Sequence, residues 1–124
     1  MIVNLTFGGL MKKLLGLAAL VLASSAFAED AVTVCPNMFK VLAENETTRV
    51  IKFHQKKGES CPMHTHGAMS VYVIKPGQLF YIKPDGTKVD GPKLKAGDAF
   101  IRPATEHAHA PAGAESIAII VETK

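Results

Sequence analysis

The chain has 124 residues, 48% of them hydrophobic, with 14 Lys and Arg against 11 Asp and Glu. That length holds one compact domain. The basic residues, Lys56 and Lys57 or Lys93 and Lys95 for example, are scattered rather than clustered, so no nucleic-acid partner is expected.

Residues 1–28 read as an export signal. Lys12 and Lys13 form a positive n-region, an apolar run covers 14–23, and Ala26-Phe27-Ala28 ends the segment as an A-x-A cleavage site. The run is 10 residues, whereas a membrane-spanning helix needs ~20. A cleaved signal is therefore expected, with no stable membrane span afterwards and a periplasmic or secreted product. Met11-Lys12-Lys13 also resembles a natural start of translation. Cleavage after Ala28 leaves a domain of residues 29–124, in which 12 basic residues face 11 acidic ones for a net charge of +1. So small a charge says little about partners.

Within 29–124 the first segment, 29–37, reads as an extended lead-in ending at Pro36-Asn37. Strand-like segments follow at 38–43, 47–54, 63–74, 78–83, 87–93, 98–102, 105–110 and 115–122. Between them lie turn formers, including Lys75-Pro76-Gly77, Pro84-Asp85-Gly86, Ala96-Gly97-Asp98 and Pro111-Ala112-Gly113. Ile117-Ala118-Ile119-Ile120-Val121 is apolar at successive positions and is expected to be buried on both faces. No stretch has the periodicity of a three-turn amphipathic helix. The expected fold class is all-β, a single closed barrel or jelly roll, which removes exposed sheet edges.

The chemistry is concentrated in histidines. His64 and His66 are two apart in a strand-like stretch, so both imidazoles project from one face. His107 and His109 repeat the arrangement downstream of Arg102-Pro103. Three neutral imidazoles with open positions make a catalytic type of metal site.

The stretch Gly58-Glu59-Ser60-Cys61-Pro62-Met63-His64-Thr65-His66 resembles the first cupin motif, a Gly, five residues and His-x-His, with Gly77 where the motif closes. Gly97, five residues, Pro103 and then His107 resemble the second motif. Within the cupin superfamily the chain is most similar to small single-domain members of the β-alanine degradation type. The resemblance implies a cupin-type β-barrel (a double-stranded β-helix, RmlC-like) with His64, His66 and His107 as metal ligands. His109 is then a rim residue or reserve ligand. By analogy it also implies a homodimer.

The departures bear on the chemistry. The usual Glu ligand belongs near position 70, where Ser70 stands, and the second motif has Thr105 in place of its Gly. The result is similar to the three-His sites of thiol dioxygenases and acetylacetone-type dioxygenases. Three neutral ligands leave the +2 charge of the metal uncompensated, which favours a small anionic substrate. Fe(II) is the favoured ion, with Zn, Mn, Ni and Cu as others such ligands hold. The expected function is an oxygenase-type or related small-molecule enzyme. The alternative is a non-catalytic protein that binds a small ligand or metal ion on the same barrel.

Tyr72, Tyr81 and Arg102 are candidates for contacts with the substrate, and equally for barrel packing or solvent. Val71, Val73, Phe80, Ile82 and Ile119 are expected to line the interior. His54 is expected in solvent. Cys35 and Cys61 either form a disulfide, as an oxidising compartment permits, or leave Cys61 as a free thiol close to His64. The order Cys61, His64, His66, Met69 resembles a blue-copper loop, but in such proteins that loop lies near the C-terminus. Cys61, Met63 and Met69 nevertheless add soft donors that suit copper.

Overall fold

The computed structural model describes residues 28–124, so the expected signal lies almost wholly outside the described residues. One helical turn, α1 (Ala31–Val34), precedes nine strands: β1 (Phe39–Glu44), β2 (Thr48–Gln55), β3 (Cys61–His66), β4 (Met69–Lys75), β5 (Phe80–Ile82), β6 (Lys88–Asp90), β7 (Ala99–Arg102), β8 (Thr105–His109) and β9 (Ser116–Thr123). They form a five-stranded sheet in the order β1-β2-β9-β4-β7 and a four-stranded sheet in the order β3-β8-β5-β6. All pairings within the sheets are antiparallel. The class is all-β, as the spacing of turn residues implies.

The inward faces meet in a core built on Phe39, Ile51, Phe53, Met69, Val71, Ala118 and Ile120. Burial of this apolar surface is the main favourable contribution to folding. The turns fall where the sequence places them. Gly97, for example, takes φ +90° between β6 and β7, a conformation that strains any residue with a Cβ.

Three details differ from expectation. The lead-in is not extended throughout: Asp30 caps α1 by accepting from the Thr33 amide at 2.8 Å, as an N-cap Asp does. The stretch 63–74 is two strands rather than one. Gly67 breaks it, because the chain there runs so close to the Thr123 carbonyl that a Cβ would collide with it. The last strand, finally, is not buried on both faces. Ala118, Ile120 and Glu122 point inward, whereas Ile117 and Ile119 are half-buried and Val121 is exposed. An all-apolar stretch hides this period-2 phase, which the sheet imposes.

Cys35, just after α1, is disulfide-bonded to Cys61 at the start of β3, with Cα atoms 6.2 Å apart. The bond fastens the lead-in segment to the strand that carries His64 and His66.

Candidate metal centre

β3 and β8 are neighbours, with His64 opposite His107 and Cys61 opposite His109. A register shift between Cys61 and His64 puts an extra residue into β3. Such a bulge re-aims side chains, and here both Cys61 and His64 face the interior although they are three apart. His64, His66, His107 and His109 are all buried, and one nitrogen from each lies within 4.8 Å of every other. His109, read from sequence as a rim or reserve residue, sits among the other three.

Partners around the cluster fix the imidazole protons. The Pro62 carbonyl lies 2.7 Å from His64 Nδ1 and can only accept, so that nitrogen carries the hydrogen. The Gln55 amide nitrogen is committed to the carbonyls of Glu59 (2.6 Å) and Ala110 (3.2 Å), so its oxygen accepts from His109 Nδ1 at 2.8 Å. Glu122 accepts from His66 Nδ1 at 3.4 Å and from the Gly67 amide at 3.0 Å. In each case Nε2 is left to face the centre, the arrangement that outer partners impose on metal-binding histidines.

His64 Nε2 and His66 Nε2 consequently point at each other across 3.1 Å. Two lone pairs at that distance need a cation between them. His107 Nε2 is buried with no hydrogen-bond partner among the described residues, an expensive state for a polar atom. A proton satisfies one pair of nitrogens, whereas a metal ion satisfies the whole set.

Burial keeps His64, His107 and His109 uncharged. It lowers His64 to about 4, and with the neighbouring positive charges it lowers His107 to about 3. Burial likewise pushes His109 well below the ordinary imidazole value. Burial would raise the Glu122 carboxyl, but the bonds from His66 and Gly67 and the charge of Arg49 outweigh it and hold the group below its usual value. Neutral nitrogens and an ionised carboxylate behind them suit a divalent cation. The donor set fits.

Beside the cluster lies a cavity of about 60 Å³, walled mainly by apolar side chains including Val71, Val73, Phe100 and Ile120. Tyr81 and Arg102 also line it. The Tyr81 ring centroid is 4.7 Å from that of His107 and 4.9 Å from that of His109, and the Arg102 guanidinium lies 5.4 Å from the Tyr81 centroid. Burial raises the Tyr81 phenol, an effect that Arg102 offsets only in part, so Tyr81 stays a neutral hydroxyl.

Other candidates lie elsewhere. Tyr72 is on the outer face of β4 and 53% exposed. Phe80 and Ile82 flank inward-facing Tyr81 on β5 and are absent from the cavity wall, as is Ile119 on the outer face of β9. Strand alternation accounts for all three corrections. Ser70 likewise faces outward between inward-facing Met69 and Val71. His54 is not free in solvent but bonded to Glu115 at 2.7 Å, and Lys75, then His54, hold that carboxyl down to about 2. Cys61 is bonded to Cys35, so no thiolate is present for a copper site of the blue type.

Two residues that sequence reasoning missed, Gln55 and Glu122, orient His109 and His66. Each is a polar residue two positions after a buried apolar one on the inward face of its strand, Gln55 after Phe53 and Glu122 after Ile120, and that was the available signal.

No protein-family model and no curated protein sequence matches the chain. Solved structures do. A cupin domain from Bordetella pertussis Tohama I is 23% identical with a TM-score of 0.60, covering 81% of this chain and 99% of its own. A conserved protein of unknown function from Streptococcus pyogenes is 19% identical at a TM-score of 0.50, covering 69% of this chain and 72% of its own. A protein with a double-stranded β-helix domain from Klebsiella pneumoniae is 27% identical at a TM-score of 0.48, covering 67% and 71%. The paired antiparallel sheets and the likeness to the Bordetella domain agree: the chain has the fold of a small cupin.

Proposed function

We propose that this cupin holds a divalent metal ion through His64, His66, His107 and His109 and uses it on a small anionic molecule. The observation that carries the reading is the set of converging imidazole nitrogens, two of them 3.1 Å apart and one without a partner. When bound, the ion supplies Lewis-acid or redox chemistry, with Fe(II) the choice for oxygenase-type work. The chain's own residues do the rest. Pro62, Glu122 and Gln55 aim the imidazoles, and the apolar wall limits water. Tyr81 offers a neutral hydroxyl next to the centre.

A second reading has its own support. Four buried histidines can fill a tetrahedral site, which is how structural rather than catalytic sites are closed. A non-catalytic metal-binding or ligand-binding barrel follows from that.

Metal content by mass spectrometry tests the first step, on untagged protein of residues 29–124 beside a His64→Ala/His66→Ala variant. A near-stoichiometric metal present in the wild type and lost in the variant is expected. A folded wild-type protein that rejects added metal overturns both metal readings. Oxygen consumption with candidate substrates then separates enzyme from binding protein.

Export to an oxidising compartment belongs to the same proposal and is supported by the Cys35–Cys61 disulfide. So does a homodimer. Its support is the apolar outer face of β4, β7 and β9, where Tyr72, Val121 and the 82%-exposed Ile101 are unpartnered and β7 is a sheet edge.

A further inference from the structure

The cavity beside the histidines has an unusual charge balance. Its wall is apolar apart from the histidines, the hydroxyls of Tyr81 and Ser116, and one guanidinium, that of Arg102. No acidic side chain lines it, and among the described residues Arg102 forms no ion pair. The other arginine near the centre, Arg49, pairs with both Asp30 and Glu122. Arg102 is thus the one charge of the cavity, half-buried, and held against an aromatic ring that itself packs on His107 and His109.

Strand geometry explains its direction. On β7, Ala99 and Ile101 face outward, so Phe100 and Arg102 face inward, and Arg102 lies opposite inward-facing Met69 on β4. A planar guanidinium matches a carboxylate with two parallel hydrogen bonds. A partly desolvated cation without an anionic partner is also costly to keep unless a ligand offsets it.

We propose that this cavity is a carboxylate subsite, in which Arg102 takes the anion and Val71, Val73, Phe100 and Ile120 hold a short or branched apolar body. The proposal names the substrate class of the centre described above and rests on that reading. Its geometry seats the ligand one aromatic ring away from the histidines. Small size follows from the cavity volume of about 60 Å³. Neutral polar molecules and long chains are disfavoured.

The test is an NMR titration of the 29–124 protein with isobutyrate, isobutyramide and inorganic phosphate, in metal-free and metal-loaded form. Metal content is measured on the same samples. Isobutyrate is expected to shift the Arg102 Nε–H and Tyr81 signals saturably, with isobutyramide at least tenfold weaker. Arg102→Gln should lose at least tenfold in isobutyrate affinity at unchanged metal content, and Arg102→Lys should fall between. Equal binding of acid and amide, undiminished binding by Arg102→Gln, or preference for phosphate overturns the proposal. If Arg102→Gln does not fold, the acid–amide comparison and Arg102→Lys still decide it. Absence of metal from every sample defeats the metal reading instead, and the metal-free titration still decides the subsite.

Discussion

His66 on β3 and Glu122 on β9 are 56 positions apart in sequence, yet Nδ1 of one meets a carboxylate oxygen of the other at 3.4 Å. The contact joins the two sheets at the histidine cluster. The same carboxylate receives the Gly67 amide at the break between β3 and β4 and faces Arg49 at 3.5 Å. It is 2% exposed, so few other partners are available to it.

Glu122→Gln keeps the shape and the Gly67 bond but removes the charge behind His66. Metal affinity is expected to fall by about 10–100-fold, the usual effect of losing such an outer partner, with little change in fold. Glu122→Ala should do more, since Arg49 and the Gly67 amide also lose their partner. Chelator competition measures the affinity and circular dichroism the fold. Unchanged affinity in both variants would show that Glu122 has no part in orienting His66.

The disulfide closes a loop across a sequence separation of 26. Chain-entropy arguments assign such a link about 3 kcal/mol. Cys35→Ser/Cys61→Ser, or the wild type under reductant, should lose stability on that scale in urea unfolding. Metal affinity should also drop, because the bond anchors the start of the strand bearing His64 and His66. Identical urea midpoints for the oxidised and reduced forms would refute the structural role.

Stability of the metal-free protein should fall with acid. His64 and His107 titrate near 4 and 3 when folded but near the ordinary imidazole value of 6.5 when unfolded. Between these values the unfolded chain binds more protons, so stability rises with pH there. The contribution is complete above about pH 6.5 and is lost as pH falls toward 4, by up to about 3 kcal/mol per histidine. Glu122, also lowered, adds a loss in the same direction at lower pH. Thermal melts from pH 7.5 to 4.5 check this, and a flat profile would contradict the burial of neutral imidazoles.

Ile101→Lys places a charge at the most exposed large apolar side chain of the β4–β7–β9 face. If that face pairs two copies, the variant should sediment as a monomer with its metal content and melting temperature for the isolated barrel preserved. A wild-type protein that is already monomeric at high concentration removes the homodimer from the proposal.

Much of the fold is legible in the sequence because glycine and proline mark its turns, and alternate histidines announce a shared strand face. What was hidden depends on register. The bulge after Cys61 brings that residue opposite His109, and although alternation puts His109 on the same face as His107, only the pairing of β8 with β3 brings it into the cluster. The inward phase of Glu122 was concealed by the run of apolar residues before it. Gly67 looked like a residue within a strand, because its close approach to Thr123 is made with a segment far along the chain. Phe80, Ile82 and Ile119 were misplaced for the related reason that apolar character does not tell one face of a strand from the other.

The four imidazoles lie on two strands well separated in the chain, and the groups that aim them come from β2, β3 and β9. Phe39, from yet another strand, packs against three of the four rings. No short peptide of this chain therefore contains the site, and it comes into being only when the barrel closes. Intrinsic affinities rank divalent metals in much the same order for most nitrogen sites, so they do little to choose among ions. For a chain exported before it folds, as proposed above, the choice passes to the surroundings: any ion carried would be decided by what is at hand where the chain folds, rather than where it is made.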